Sequence, residues 1–214
     1  VKVVSDPFYS GFSPFYYLIL FSLVVWGLEV ILPWRKNQKI FRKDFWLDSF
    51  YMFFNYFLFS LLIMAALSST TEKAFSLLMN QLGFPSAPAL LDMRTLPMWS
   101  QFLLFFLISD FVQWCVHNLL HRVPLLWRFH RLHHSVEEMG FAAHLRYHFM
   151  ENVIYQPAKY IFLAYLFSFK LENAFWLYAA TTLIGHLNHA NLGWDYGILK
   201  YIFNNPQMHI WHHA

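Results

Sequence analysis

Apolar residues run in blocks along this chain and do not alternate with polar ones. Pro14 to Leu32 is apolar apart from Ser22 and Glu29. At about 1.5 Å per residue such a helix reaches across a bilayer core of roughly 30 Å. Pro14 suits the first turn of a helix, and Pro33 its end. Phe45 to Leu67 predicts a second span. Residues 68–96 form a polar connection containing Pro85 and Pro88, with a short amphipathic helix predicted near Ala74–Leu82 on the membrane surface. Pro97 to Val116 predicts a third span that runs directly into His117. Val153–Phe169 and Leu171–Ile184 meet at Lys170, and each is short for a full crossing. Together they read as a helical hairpin that enters and leaves on one side. No stretch alternates as a strand would. The expected fold class is all-α and polytopic: a single domain over residues 1–214 with four or more membrane helices. Its N-terminal spans lie at 14–67, and a histidine region at 97–213 forms a cytoplasmic cap over the membrane helices.

Composition sharpens this picture. Hydrophobic residues make up 58% of the chain and charged residues 13%, both displaced from soluble averages toward membrane proteins. Trp and Tyr favour the bilayer interface. A single cysteine, Cys115, excludes an internal disulfide and reads as a small apolar residue. The net charge of +3 gives no ground for nucleic-acid binding. The first residue is Val1, and Ala214 directly follows His213, so further residues are expected at the C-terminal end.

The placement of charge predicts a topology. Arg35, Lys36, Lys39, Arg42 and Lys43 fall between the first two apolar spans, as in a cytoplasmic loop. The second span then exits and the third returns, which puts His117 and His121 on the cytoplasmic side. The hairpin leaves and returns to the same side. Hydropathy and charge alone therefore gather every histidine on one membrane face, in either a bacterial inner membrane or the endoplasmic reticulum.

All twelve histidines lie between His117 and His213. The run HNLLHRVPLLWRFHRLHH holds His117, His121, His130, His133 and His134, and HIWHH holds His209, His212 and His213. On a helix, positions three and four apart share a face, so each motif aims imidazoles at one point. Imidazole suits Fe, Zn, Cu and Ni, and converging rows would make a nitrogen-rich metal site holding more than one metal. A set of hydrogen-bonded core or pH-sensing histidines is the plainer alternative. It accounts poorly for two HxxHH triplets and an HxxxH pair in one chain. His144 and His148 form another HxxxH pair, while His186 and His189 are three apart. Asp110, seven residues before His117 in an apolar span, is expected to be buried and to accept a ring N–H from a ligand histidine.

The segments DFVQWCVHNLLHRVPLLWRFHRLHHS, LRYHFMEN, HANLGW and NNPQMHIWHH, in this order, resemble the membrane fatty acid hydroxylase/sterol desaturase superfamily, over roughly residues 99–213. Its bacterial-type and alkylglycerol-monooxygenase-like branches are the most similar. Asn118 stands where many relatives carry Arg. The resemblance implies a non-haem di-iron, O2-dependent oxidoreductase that hydroxylates a C–H bond of a lipid. It puts ligands at His117, His121, His130, His133, His134, His209, His212 and His213, with His189 and His148 at further recurrent positions. His148 falls in the R-x-H pattern with Arg146. His186 joins the candidate ligands, and His144 is read as a hydrogen-bonding neighbour. Two Fe ions are expected, for which Zn can substitute in purified protein. No nucleotide loop or haem motif occurs, so electrons must come from a separate donor of cytochrome b5, ferredoxin or pterin type. Desaturation would use the same cluster. A membrane-embedded zinc hydrolase would instead need a general base such as Glu137, Glu138 or Glu151. A metal transporter would need ligands deep within the spans.

Overall fold

The computed structural model describes residues 14–59, 70, 73–83, 91–160, 167–168 and 171–214. The end of the expected second span and the turn of the expected hairpin lie outside them. Helix α1 is Pro14–Ile31, α2 is Phe45–Phe53 with a π-helical continuation over Phe54–Phe59, and α3 is Met98–Arg122. Then come α4 (Pro124–His130), α5 (Phe149–Tyr160), α6 (Leu171–His189) and α7 (Pro206–His212). Residues 73–81 are helical, as the amphipathic pattern predicts. The fold is helical. Extended pairing among the described residues is a two-residue parallel contact, Leu91–Asp92 against Phe167–Ser168.

Prolines set the boundaries. Helix α3 begins immediately after Pro97 and runs unbroken through both His117 and His121. It stops because Val123 precedes Pro124: the proline ring clashes with a helical conformation at the residue before it. Val123 accordingly turns extended (φ −95°, ψ 115°), and Pro124 starts α4 at its first position. This one-residue break turns the chain back so that His130 reaches the end of α3.

The chain divides into two compact units. One comprises Val1–Ser49, Val136–Leu145 and Tyr178–Ala214. Its core joins Val136, Met139, Ala143 and Ile210 with Trp34 packed against them. The loop after α1 is tied down here: Gln38 donates to the Met139 carbonyl at 2.7 Å, and the Lys43 backbone N–H donates to Glu138 at 2.7 Å. Arg42 is not part of a solvated basic run, as its position in the sequence suggested. It is buried in an ion pair with Asp48 at 2.6 Å. Lys43 pairs with Glu137 at the surface, and that hydrogen bond raises the lysine's pKa. Arg35, Lys36 and Lys39 are exposed.

The other unit comprises Phe50–Ser135 and Arg146–Leu177. Helix α3 buries Gln101, Phe105, Ser109, Val112, Val116 and Leu120, one stripe at spacings of three and four. Val112, Val116 and Leu120 pack against Leu126 and against Ile154, Tyr155 and Ala158 of α5. Leu103, Leu104, Leu107, Phe111, Trp114 and Leu119 point outward from α3. Among the described residues α3 is the one helix long and apolar enough to cross a membrane, while α1 is a shorter apolar helix.

Candidate metal centre

In the Phe50–Leu177 unit four imidazoles converge. His117 and His121 come from α3, His130 ends α4, and His134 sits in the 3-10 turn His133–Ser135. Their potential ligand atoms all lie within 4.8 Å of one another. The His117 and His121 Nε2 atoms are 3.2 Å apart, and the His130 ring centroid is 4.7 Å from that of His117 and 4.8 Å from that of His121.

Neighbouring groups set which nitrogen of each ring points inward. His130 Nδ1 lies 3.0 Å from Glu151 Oε2, with both side chains buried. A carboxylate accepts, so this contact puts the proton on Nδ1 and leaves Nε2 as a bare acceptor. That Nε2 is buried and has no hydrogen-bond partner among the described residues. An unsatisfied buried acceptor is costly, and a metal ion would satisfy it. His117 Nδ1 lies 3.4 Å from the Tyr155 hydroxyl. His133, buried beside the cluster motif, donates from Nδ1 to the Arg146 carbonyl at 3.1 Å, while the Arg146 guanidinium donates to Ser135 Oγ at 2.8 Å. Arg146 thus fastens the HHS turn from both its main chain and its side chain.

In the other unit three imidazoles meet. His189 ends α6, and His209 and His213 lie four apart at α7. His209 Nε2 is 2.9 Å from His189 Nε2 and 3.2 Å from His213 Nε2. His189 donates from Nδ1 to the Gly185 carbonyl at 2.7 Å, so its Nε2 is the ring's acceptor and points toward His209. Helix α7 is built for this placement. Asn205 caps it by accepting from the Met208 N–H at 2.9 Å, Pro206 opens the first turn, and the Asn204 amide lies 2.8 Å from His209 Nδ1. Both clusters are all-nitrogen. His130 and His189, whose Nδ1–H groups are already committed, each turn an Nε2 lone pair into an imidazole cluster, an arrangement that suits a cation of the Fe, Zn, Cu or Ni type.

Three other candidate ligands, His148, His186 and His212, and the neighbour His144 stand outside these groups. His148 accepts from the Met150 N–H at 3.2 Å and so caps α5, its ring beside Phe129 and Phe149. His186 is fully buried, with Nε2 3.2 Å from Ser22 Oγ and Nδ1 3.2 Å from His144 Nδ1. His144 lies behind His189, with ring centroids 5.3 Å apart. His212 is exposed at the end of α7, its ring centroid 5.5 Å from that of His209. The expectation that Asp110 is buried is corrected. Its side chain is exposed, because the buried stripe of α3 passes through Ser109 and Val112. The carboxylate that does meet a cluster histidine is Glu151. In the sequence Glu151 reads only as a candidate hydrolytic base; its place four residues before Tyr155, on one face of α5, is the signal that it has company at the cluster.

The fatty acid hydroxylase family model matches residues 102–214. Over 118 residues the chain is 37% identical to ornithine lipid hydroxylase OlsE of Rhizobium tropici, covering 55% of this chain and 35% of that protein. It is 30% identical over 119 residues to alkylglycerol monooxygenase of Xenopus tropicalis, covering 52% of this chain and 24% of that one. A short stretch of 34 residues is 53% identical to fatty acid hydroxylase vlmA of a Lecanicillium species, 16% of this chain and 9% of that one. The chain therefore spans about a third or less of the length of these relatives. No solved structure matches it. With more than half of its residues inside the family match, the chain belongs to the fatty acid hydroxylase family.

Proposed function

We propose that this chain forms the metal-binding part of a membrane-embedded, O2-dependent lipid hydroxylase with two non-haem iron ions. The observation that carries the reading is the pair of all-imidazole clusters, each with one ring, His130 or His189, whose Nε2 is left as acceptor by a hydrogen bond on the opposite side of the ring. In this reading His117, His121, His130 and His134 hold one ion, and His189, His209 and His213 hold the other. His133, with Nδ1 engaged by the Arg146 carbonyl, offers its Nε2 as a further ligand. Iron held by neutral nitrogen ligands supplies O2 binding and the oxidising power to attack an unactivated C–H bond.

The protein's own part is orientation and exclusion. Glu151 and the Gly185 carbonyl fix the tautomers of His130 and His189, so that the ligand lone pairs need no rearrangement when metal binds. The apolar outer faces of α1 and α3 belong in lipid, with four or more membrane helices in the whole protein and the histidines on the cytoplasmic face. The membrane is the bacterial inner membrane or the endoplasmic reticulum. The substrate is the acyl chain, sterol body or ether chain of a lipid, and a separate protein or pterin delivers the electrons. The names of two relatives, a lipid hydroxylase and a monooxygenase, favour hydroxylation over desaturation. The carboxylates that hydrolysis would need as a base are otherwise engaged, which favours the oxidative reading: Glu137 pairs with Lys43, Glu138 accepts the Lys43 N–H, and Glu151 holds His130.

Lipid mass spectrometry of cells with and without the gene, grown with and without O2, tests this function. An O2-dependent gain of one oxygen in a membrane lipid is expected. Full turnover under argon with one tightly held zinc would sink it in favour of hydrolysis.

A further inference from the structure

Helix α1 lies outside the family match, yet its inner face carries two of the few polar groups on an otherwise apolar helix. Leu18, Ser22 and Val25 are buried, and Glu29 follows at the same spacing of three and four, so the four form one stripe. A carboxylate placed in such a helix is expensive unless hydrogen-bonded, and one that occurs there has a partner. Here a single oxygen serves two. Glu29 Oε1 accepts the Asn191 backbone N–H at 2.7 Å and the Phe141 backbone N–H at 3.0 Å.

Both partners lead to the second imidazole cluster. Asn191 lies two residues after His189, the last residue of α6. Phe141 opens the 3-10 turn Phe141–Leu145, which carries His144 against the His189 ring. The chain just beyond α1 completes the hold on Asn191. The Trp34 N–H donates to the Asn191 carbonyl at 2.9 Å, and the Arg35 N–H donates to Asn191 Oδ1 at 2.9 Å. The Asn191 side-chain amide in turn donates to the Arg35 carbonyl at 3.2 Å. Every hydrogen-bonding group of Asn191 is therefore engaged by residues between Glu29 and Arg35. At Gly193 a Cβ would press on the Trp34 ring, so the segment after His189 also fits closely against this loop.

The arrangement answers a physical need. Helix ends fray, and here it is the chain leaving α6 that is held, through the backbone N–H and carbonyl of Asn191. His189 sits at such an end, and a metal ligand must be held to within about half an ångström of its working position. We infer that Glu29 is a positioning residue for the second metal cluster: through Asn191 and Phe141 it fixes where α6 stops, and with it where His189 meets His209 and His213. This inference rests on the metal reading above. It makes α1 part of the metal centre, although the family match begins beyond it. What matters is the accepting oxygen, not the charge, because one oxygen takes both N–H groups.

The test uses the full chain in detergent micelles, loaded with iron(II) under argon, dialysed, and assayed for iron per chain alongside thermal unfolding. Four proteins are compared: wild type, Glu29→Ala, Glu29→Gln and Val25→Ala. Val25 is buried on the same helix and makes no side-chain hydrogen bond, so Val25→Ala reports general loosening of α1. Wild type should hold about two irons. Glu29→Ala should weaken one of them roughly 10- to 100-fold, the range seen when ligand support is removed. Glu29→Gln, which keeps the accepting oxygen, should restore it, and Val25→Ala should lower the unfolding temperature with both irons retained. Two irons in Glu29→Ala would overturn the inference, as would failure of Gln to rescue or equal iron loss in Val25→Ala. Each of these leaves the metal reading intact. A wild-type chain that binds no iron would overturn the metal reading itself.

Discussion

Glu151 and Tyr155, one turn apart on α5, each meet a different ring of the same cluster: Glu151 Oε2 lies 3.0 Å from His130 Nδ1, and the Tyr155 hydroxyl lies 3.4 Å from His117 Nδ1. Helix α5 packs its Ile154, Tyr155 and Ala158 against α3, so one packing contact carries both supports into place. Removal of the carboxylate leaves a buried ring N–H without an acceptor, at a cost of about 1–3 kcal/mol. Glu151→Ala should therefore lower thermal stability and weaken metal at the His117–His134 cluster by roughly 10- to 100-fold. Titration of iron into wild type and variant measures this directly. Unchanged affinity would mean that Glu151 only fills space.

Much of this site was legible in the sequence, and the reasons for success and failure are physical. The i, i+3 and i+4 spacings that bring His117 to His121 and His209 to His213 are properties of a single helix, and prolines at 14, 97, 124 and 206 mark where helices start. Such local rules need no knowledge of the fold. The Glu151–His130 contact spans a separation of 21 residues and depends on how α5 packs, which no periodicity encodes. Asp110 lies seven residues before His117 and so faces nearly the same way, yet it is exposed because packing partners cover only part of α3. His148 falls in the R-x-H pattern, and in the structure its Nδ1 accepts from the first turn of α5, a use of a histidine just before a helix that the pattern does not show. Arg42 counted as a loop charge until its buried pairing with Asp48 removed it from the solvated set.

Ligands and neighbours separate by substitution. His189 has Nε2 2.9 Å from His209 Nε2, whereas His144 contacts His186 and stands behind the cluster. His189→Ala should lower metal content by about one ion per chain and abolish turnover, with tetrahedral or octahedral coordination left short of a nitrogen ligand. His144→Ala should keep both metals. Metal loss in His144→Ala together with full occupancy in His189→Ala would reverse the two roles.

Gly185 serves both of those histidines at once. Its carbonyl accepts the His189 Nδ1–H, and its missing side chain leaves room for the His144 ring, which a Cβ would strike. Gly185→Ala should therefore displace α6 or the His144 ring, with an overpacking cost of about 1–3 kcal/mol. His189 sits one turn further along the helix, so metal at the second cluster should weaken as well. The double variant Gly185→Ala/His144→Ala removes the colliding ring and should recover both stability and metal. Additive losses in the double variant would show that the glycine is needed for another reason.

Membrane orientation gives the last prediction. The basic loop after α1 and the segment at Val136–Leu145 belong to one compact unit, joined at the surface by Lys43 and Glu137 at 2.6 Å. Labels at Lys39 and Glu137 must therefore react from the same side, whichever side it is. The exposed charges Arg35, Lys36 and Lys39 predict that this side is cytoplasmic. Thr71, outside the described residues, falls beyond the expected second span and should react from the opposite side. Cys115 is partly accessible and must first be replaced, since it would give a background signal. Single cysteines at the three positions can then be probed with a membrane-impermeant maleimide on sealed vesicles of known orientation. Loss of the exposed Lys43–Glu137 pair in Glu137→Cys should matter little, because surface pairs contribute weakly. Labelling of Lys39→Cys and Glu137→Cys from the outer face would invert the proposed topology of this unit. Labelling of Thr71→Cys from the same face as the other two would mean that residues 45–67 do not cross the membrane.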